Sequence, residues 1–448
     1  MRVHVLVAEI GSTTTVVNAF YLGENPRFLG QGMSMTTAAQ GDVTIGLRKA
    51  IDDLKDALGC ASLDYDRMMA VSSAAGGLSM SVHGLVYDMT VKAAKEAALG
   101  AGAVVRHITA GEMTPSDASE LQRQRPKIML LAGGVDYGEK STALHNAKVL
   151  HATLPDVPII YAGNVAARQE VADILRGHGS KVYFVENVFP RVDELVVEPT
   201  RKVIQAVFEE HITKAPGMDT IRDMVDGPIM PTPGAVMEAC KALWPDLGDL
   251  CAIDVGGATT DVHSVARGSP EIQSIMENPE PFAKRTVEGD LGVFINAKNI
   301  YEEVKERAAR DLGFDPEPLL TELHAVPSGQ EAQLVSYLSK GACEIAFSRH
   351  AGRIRYLYGP MGRQAVASGK DLSSVRTIIG TGGALTRLPG GETMLQGLIG
   401  QGAGRDLYPK DARVLIDREY IMAACGVLSR ERPREASEIM KTSLGLVL

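Results

Sequence analysis

The residues best suited to chemistry lie in two segments of the same design, centred on Glu9 and Asp254, 245 residues apart. Their sequences are AEIGSTTT (residues 8–15) and DVGGATTD (residues 254–261), and each follows a short apolar run typical of a strand. A glycine turn lets backbone N–H groups approach an anion closely, and neighbouring hydroxyls add donors. Each segment therefore predicts half of a phosphate clamp, whose carboxylates suit a divalent cation or a water molecule better than phosphate.

The composition sets limits on the function. A chain of 448 residues is too long for one core, so we expect two or three domains. Its formal charge of −9 opposes nonspecific nucleic-acid binding, which needs clustered Lys and Arg. The five cysteines show no metal-ligand spacing, so we expect free thiols. With neither a signal peptide nor an 18-residue apolar run in the sequence, we expect a cytoplasmic protein without membrane contact.

The elements that must position these residues alternate between strands and helices. A strand meander is predicted at each half of the phosphate clamp, which indicates an internal duplication. The strands of the two meanders are residues 3–8, 14–22 and 27–31, and residues 250–255, 260–266 and 271–276. Between residues 103 and 190, apolar strands alternate strictly with helices, so we predict a parallel, doubly wound insert. Its glycine turn at residues 133–138 follows a strand, where open α/β sheets bind ligands.

The sequence also resembles a known superfamily. Three motifs occur in order: EIGSTT from Glu9, DVGGATTD from Asp254 and GTGGAL from Gly380. Together they resemble the phosphate-1, phosphate-2 and adenosine motifs of the actin, Hsp70 and sugar-kinase ATPases. The resemblance implies an α/β fold with two actin-like (ribonuclease H-like) ATPase domains and the doubly wound α/β insert in the first.

Narrower motifs resemble one family within that superfamily. They are SAAGGL (residues 73–78), LAGGVD (131–136), VENV (185–188) and VEGDLG (287–292). These look like the glutamate mutase accessory protein family, called GlmL or MutL and unrelated to the mismatch-repair protein, and the likeness covers essentially the whole chain. We predict a first actin-like domain over residues 1–102, with the insert over 103–190. A helical connector follows over residues 191–248 and includes a Pro/Gly-rich linker at 215–234. The second actin-like domain is predicted over residues 249–417, and a C-terminal helix over 418–448 is predicted to pack back toward the first domain.

The superfamily resemblance implies a role for each motif position. The two phosphate turns and the adenosine turn would bind ATP through Gly11, Ser12, Thr13, Thr14, Gly256, Gly257, Thr259, Thr260, Gly380, Thr381, Gly382 and Gly383. Glu9, Asp254 and Asp261 would be the catalytic carboxylates and would position Mg²⁺ or the attacking water. Glu9 stands where the superfamily usually has aspartate and reaches about 1.5 Å further, which changes where a metal ion would lie. We therefore expect slow ATP hydrolysis, with a protein that only senses ATP as the alternative.

The family resemblance implies an ATP-binding accessory protein, a reactivating chaperone for the subunits of an adenosylcobalamin-dependent mutase such as glutamate mutase. Nucleotide-driven domain movement would release damaged cobalamin, and a homodimer is left open. One alternative is a small-molecule kinase of the same superfamily, acting on a sugar or carboxylic acid with Asp261 or Glu288 as base. Another is an ATP-driven redox activator with an iron–sulfur cluster, which the scattered cysteines disfavour.

Overall fold

A computed structural model describes residues 2–11, 13–37, 41–73, 78–212, 217–324, 326–359, 362–401 and 404–446. The chain divides into two compact units. Unit 1 comprises Met1–Ala74, Pro216–Glu277 and Phe282–Leu448; unit 2 comprises Ala75–Ala215 and Asn278–Pro281. No helix among the described residues is both long and apolar enough to cross a membrane. All five cysteines are described and are free thiols, as predicted.

The strands are β1 (Arg2–Ile10), β2 (Thr14–Tyr21), β3 (Arg27–Met35), β4 (Asp64–Ser72), β5 (Ser79–Gly84), β6 (Val104–Ala110), β7 (Ile128–Leu131), β8 (Ile159–Tyr161), β9 (Val182–Phe184), β10 (Met230–Pro231), β11 (Leu250–Val255), β12 (Thr260–Val265), β13 (Ala283–Glu288), β14 (Arg353–Gly359), β15 (Gly362–Ser368), β16 (Thr377–Thr381) and β17 (Arg413–Ile416).

The α-helices are α1 (Thr44–Ala57), α2 (Lys92–Gly100), α3 (Pro115–Gln124), α4 (Ser141–Thr153), α5 (Arg168–Ile174), α6 (Glu198–Ile212), α7 (Met218–Met224), α8 (Thr232–Leu247), α9 (Pro270–Gln273), α10 (Ala297–Asp311), α11 (Gly329–His350), α12 (Gly383–Thr386), α13 (Gly391–Gln396), α14 (Met422–Leu428) and α15 (Pro433–Ser443). A π-helical turn (Tyr87–Val91) precedes α2, and 3₁₀ turns occur at Val165–Ala167 and Leu319–Thr321.

Unit 1 contains the same sheet topology twice. The strand orders are β3-β2-β1-β4-β10 and β13-β12-β11-β16-β17. In each sheet the first three strands in this order form an antiparallel meander that ends in β1 or β11. The remaining two strands extend the sheet from β1 or β11 and run parallel to it. The repeated order confirms the predicted fold with two actin-like domains. We call the sheet that contains β1 the first sheet and the sheet that contains β11 the second sheet.

Helices α8 and α14 join the two sheets into one core. Buried side chains of both helices belong to the same apolar cluster as Val7 of β1, Val71 of β4 and Ala252 of β11. The helices approach each other closely at Gly426, where a Cβ atom would collide with the carbonyl oxygen of Ala235. Helix α8 contacts strands of both sheets and α14 contacts β1 and β4, so the two sheets of unit 1 pack around one pair of helices.

Unit 2 is built on a parallel sheet of order β6-β5-β7-β8-β9. Helix α4 packs against β5 and β7, and buried side chains of α3, α4 and α5 share a core with β7 and β8. This is the doubly wound insert expected from the sequence. The insert is predicted to begin at residue 103, whereas the compact unit begins at residue 75, because β5 lies inside the sheet and pairs with both β6 and β7. Of the SAAGGL motif, residues 74–77 lie outside the described residues.

Three local predictions for unit 1 are wrong. Residues 271–276 do not form the third strand of the second meander, because Ser269 caps the short helix α9 there and the strand is β13 instead. The predicted linker at residues 215–234 contains α7 and β10. The segment predicted as one C-terminal helix, residues 418–448, contains two helices, α14 and α15.

Candidate functional site

The first phosphate turn connects β1 to β2. The N–H of Gly11 donates to the carbonyl oxygen of Thr14 at 2.9 Å, and the hydroxyl of Thr36 donates to the carbonyl oxygen of Gly11 at 2.9 Å. Gly11, Thr13 and Thr14 are half-buried, whereas Ser12 lies outside the described residues. The predicted glycine turn is therefore present at the end of β1, directly after Glu9.

The second turn repeats this geometry between β11 and β12. The N–H of Gly256 donates to the carbonyl oxygen of Thr259 at 2.9 Å, the same bond as in the first turn. The strand registers match as well, but they pair different residues. Asp254 lies opposite Asp261 in the second sheet, whereas Glu9 lies opposite Val16 in the first. The second half thus carries two carboxylates where the first half carries one.

Several hydrogen-bonding groups of the second turn are already used inside the protein. Thr260 is fully buried, and its hydroxyl donates to the carbonyl oxygen of Leu291 at 2.7 Å. The carbonyl oxygen of Gly257 accepts from the N–H groups of Phe294 and Ile295. Thr260 therefore supports the turn from its buried side. Gly256, Gly257 and Thr259 are half-buried and remain partly accessible.

Asp261 is paired with Arg285, a residue that the sequence analysis did not identify. Oδ1 of Asp261 accepts from Nη2 of Arg285 at 2.6 Å and from Nε at 2.9 Å, and Oδ2 accepts from the Thr259 hydroxyl at 3.0 Å. Both side chains are almost fully buried. Removing a carboxylate from water is costly, and the two hydrogen bonds from Arg285 offset that cost for Asp261.

The third turn, at the end of β16, lies against the second turn. Gly382 has a φ of +86°, and a Cβ atom there would lie 2.5 Å from Oδ1 of Asp254 and from the carbonyl oxygen of Val255. A Cβ on Gly383 would meet only open space, while one on Gly380 would collide with Leu395 and Ile416. Gly382 thus permits the close approach to Asp254, and Gly383 is the member of this turn that faces outward.

Asp417, which follows β17, anchors the third turn and was missed by the sequence analysis. Its carboxylate accepts from the hydroxyls of Thr381 at 3.0 Å and Ser443 at 2.7 Å. It also accepts from the N–H groups of Ile421 at 3.1 Å and Met422 at 2.8 Å, at the start of α14. The Thr381 hydroxyl is therefore fully engaged by Asp417. A carboxylate directly after an apolar parallel strand, here the edge strand β17, is the sequence feature that could have identified it.

Glu9 and Asp254 form an electrostatically unfavourable pair at the meeting point of the turns. Glu9 is 5% exposed, its Oε1 accepts from the Tyr420 hydroxyl at 3.1 Å, and its Oε2 has no hydrogen-bond partner among the described residues. Burial and the negative charge of Asp254 raise the pKa of Glu9 to about 8. Burial and Asp261 raise the pKa of Asp254 to about 7, although Asp254 keeps some contact with solvent.

The two halves of unit 1 also meet beside Glu9 through polar side chains. Nη2 of Arg387 donates to Oε1 of Gln31 on β3 at 2.8 Å, and Nε2 of Gln31 donates to the carbonyl oxygen of Glu419 at 2.5 Å. The guanidinium of Arg387 lies 5.7 Å from the ring centre of Tyr420, a residue with a φ of +52°. Residues in sparsely populated backbone regions concentrate at functional sites, so Tyr420 strengthens this location as a candidate site.

A divalent cation fits Glu9 and Asp254 better than it fits Asp261. Among the described residues, no group of three or more His, Cys, Asp or Glu side chains is placed to hold a metal ion. A cation bound with phosphate and water needs only one or two carboxylates, and the unpartnered Oε2 of Glu9 is a suitable ligand atom. Asp261 already has the charge of Arg285 beside it. The structure thus brings Glu9, Asp254 and Gly382 together. Asp261, opposite Asp254 on the next strand, is paired with Arg285 instead.

Known proteins resemble this chain over nearly its full length. The model of the MutL protein family matches residues 5–444. Protein MutL of Clostridium tetanomorphum is 37% identical over 457 residues, covering 98% of this chain and 98% of that protein. Similar solved structures include a nucleotide-free acetone carboxylase, with 12% identity and a TM-score of 0.40 over 95% of this chain and 70% of that chain. A ROK family glucokinase from Streptomyces griseus has 10% identity and a TM-score of 0.34 over 95% and 99%. Because the family model and the Clostridium relative each span almost the whole chain, this protein belongs to the MutL family of glutamate mutase accessory proteins.

Proposed function

We propose that this protein binds ATP with Mg²⁺ where the three glycine turns of unit 1 meet. One observation carries the proposal: Asp254, which precedes the second turn, lies against Gly382 of the third turn. Beside them, Glu9, which precedes the first turn, is buried and has no hydrogen-bond partner for Oε2 among the described residues. The N–H groups of Gly11 and Gly256 are bonded within their own turns, so the N–H groups of Thr13 and Gly257 would be the ones that face phosphate. The outward-facing Gly383 would allow close approach of the nucleoside. Mg²⁺, once bound, would offset the charge of the nucleotide phosphates and of the two carboxylates.

We further propose that nucleotide binding drives an accessory function toward a partner enzyme, a cytoplasmic adenosylcobalamin-dependent mutase of the glutamate mutase type. Membership of the glutamate mutase accessory family supports a partner enzyme of this kind. A nucleotide held by turns from both halves would favour a closed arrangement of the two sheets, and hydrolysis would remove that preference. The resulting movement would loosen the mutase and let damaged cobalamin leave.

Two features of the site disfavour the small-molecule kinase alternative. Asp261 accepts two hydrogen bonds from Arg285, and Oε2 of Glu288 accepts from Arg349 at 2.6 Å. A carboxylate that is already bound to a guanidinium is poorly placed to take a proton from a substrate hydroxyl. Neither candidate base is therefore free for phosphoryl transfer to a metabolite.

The test is calorimetric titration of the full chain with a non-hydrolysable ATP analogue, with and without Mg²⁺, for wild type, Asp254→Asn and Glu24→Gln. Glu24 is exposed on the turn between β2 and β3 and serves as the matched control. We expect Mg²⁺-dependent binding to wild type and control, and binding at least about tenfold weaker to Asp254→Asn. Equal binding by Asp254→Asn would refute the site.

A second experiment tests the accessory function. A cobalamin-inactivated glutamate mutase is incubated with ATP, Mg²⁺, fresh adenosylcobalamin and each variant, and its activity is followed. We expect recovery with wild type and Glu24→Gln but not with Asp254→Asn. Phosphorylation of a sugar or carboxylic acid in the absence of mutase would favour the kinase instead.

A further inference from the structure

Unit 2 contains a cavity of about 240 Å³ that is separate from the residues of the proposed nucleotide site. Its lining comes from the loops that follow β7, β8 and β9, together with Arg168 at the start of α5. These loops all leave the carboxyl ends of parallel strands, which is where open α/β sheets bind ligands. Two motifs that the nucleotide proposal leaves unexplained, LAGGVD and VENV, contribute Asp136, Glu186 and Asn187 to the lining.

Buried side-chain amides hold these loops in place. Nδ2 of Asn187 donates to the carbonyl oxygen of Gly134 at 3.0 Å and to Oδ1 of Asp136 at 2.9 Å. The same Oδ1 accepts from the N–H of Val165 at 2.9 Å. Asn164, which is fully buried, bonds to the loop after β7 through both ends of its amide. The three loops are thereby cross-linked around the cavity, which is the arrangement of a preorganised binding site.

The cavity carries both signs of charge without internal neutralisation. Arg168 donates to the carbonyl oxygen of Phe184 at 3.0 Å, and no ion pair joins it to Asp136, Glu186 or Glu194 in the part of the chain that the structure describes. Oδ2 of Asp136 and both carboxylate oxygens of Glu186 likewise have no protein partner among the described residues. Opposite charges that line one cavity yet do not contact each other are available to a ligand that bridges them.

The size and walls of the cavity narrow the class of ligand. A volume of about 240 Å³ lies below the roughly 300–1,000 Å³ of pockets for drug-sized ligands, which favours a small metabolite. Four apolar residues complete the walls: Val165, Val185, Pro190 and Val196. A simple anion would meet the unpaired carboxylates of Asp136 and Glu186, since Glu194 already pairs with Arg191 at 3.7 Å. A simple cation would meet the guanidinium of Arg168. The composition therefore favours a ligand that carries an ammonium and a carboxylate on a short apolar frame.

We propose that this cavity binds a free α-amino acid. The ligand carboxylate would bind Arg168, and its ammonium would bind the free oxygens of Asp136 and Glu186. The site is independent of the proposed nucleotide function, because all of the residues that form it belong to unit 2. It gives the protein a means to sense a small metabolite.

The test is calorimetric titration of the full chain with each of the twenty L-amino acids, beside ethylamine and glutarate as probes that carry one kind of charge. We expect at least one amino acid to bind wild type and neither single-charge probe to bind comparably. Arg168→Gln and Glu186→Gln should each weaken binding by about tenfold or more, since each removes a charge-assisted hydrogen bond. Arg176→Gln, an exposed arginine in the segment after α5, should leave it unchanged.

Both test residues are exposed, and Glu186 has no hydrogen bond within the described protein, so an unaltered melting temperature will show that the variants fold. Asp254→Asn should bind the amino acid as wild type does, even where it loses the nucleotide. The proposal is overturned if none of the twenty amino acids binds, if ethylamine or glutarate binds equally well, or if both variants retain wild-type affinity.

Discussion

Replacing Glu9 by glutamine should make unit 1 more stable at alkaline pH. The folded protein raises the pKa of Glu9 from 4.5 to about 8, so between these values it binds more protons at this residue than the unfolded chain does. The free energy of unfolding therefore falls as the pH rises through this window and levels off above it. Glutamine stays neutral at every pH and still offers an oxygen to the Tyr420 hydroxyl, so the variant lacks this slope.

The size of the effect follows from the pKa. Each tenfold change in proton affinity corresponds to about 1.4 kcal/mol, so ionised Glu9 costs at most about 5 kcal/mol. Unit 1 has about 300 residues, and an unfolding entropy of about 2.1 cal/mol/K per residue converts that free energy into about 8 °C. Glu9→Gln should thus melt up to about 8 °C above wild type near pH 9 and within about 1 °C of it near pH 5.

Differential scanning calorimetry from about pH 5 to about pH 9 measures this difference directly. Glu24→Gln removes the same charge from an exposed position and should follow wild type throughout. The reasoning fails if the gap between Glu9→Gln and wild type does not widen as the pH rises, because Glu9 would then ionise without penalty. A gap that Mg²⁺ narrows at alkaline pH would additionally support cation binding beside Glu9.

Two further substitutions test the geometry of the site. Gly382→Ala should lower the free energy of unfolding by about 2–4 kcal/mol and abolish nucleotide binding, because the φ of Gly382 is +86° and a Cβ there would meet Asp254. Gly383→Ala should fold as wild type does, because a Cβ there meets nothing. Equal melting temperatures for the two variants would contradict the close approach of Gly382 to Asp254. Arg285→Met should cost about 3–5 kcal/mol by leaving Asp261 buried without its partner. Arg349→Met removes a half-exposed guanidinium that pairs with Glu288 and Asp290, and each of these pairs is worth about 1 kcal/mol or less. Denaturant unfolding compares these two arginine variants, and a similar loss in both would show that burial does not govern the Asp261 pair.

The sequence allowed the glycine turns and the sheet topology to be predicted because both depend on local patterns. A turn after an apolar strand needs glycine wherever backbone groups approach closely, so Gly11, Gly256 and Gly382 mark the strand ends directly. The strict alternation of apolar strands and helices in the insert likewise leaves few topologies other than a parallel sheet.

The failures have two causes, a local helix-start signal that was overlooked and long-range packing. Residues 271–276 have an apolar pattern that suits a strand, but Ser269 and Pro270 start a helix, and the strand forms after Pro281 instead. Arg285 and Asp417 are buried charges whose partners lie 24 and 36 residues away in sequence, at Asp261 and Thr381. No local pattern shows that such a side chain will be buried, because its burial depends on which strands become neighbours.

The matched registers of the two sheets have a consequence for the origin of this architecture. At equivalent positions, one half holds Val16 opposite Glu9 and the other holds Asp261 opposite Asp254. A symmetric dimer built from two copies of a single half would have to carry the same residue at the positions of Val16 and Asp261. A charge at one of these positions would therefore always be present at the other. In one chain that contains both halves this constraint is absent, because the two positions are encoded separately. The molecule can therefore combine a neutral partner on one side with an arginine-balanced aspartate on the other, a division of labour that identical subunits cannot encode.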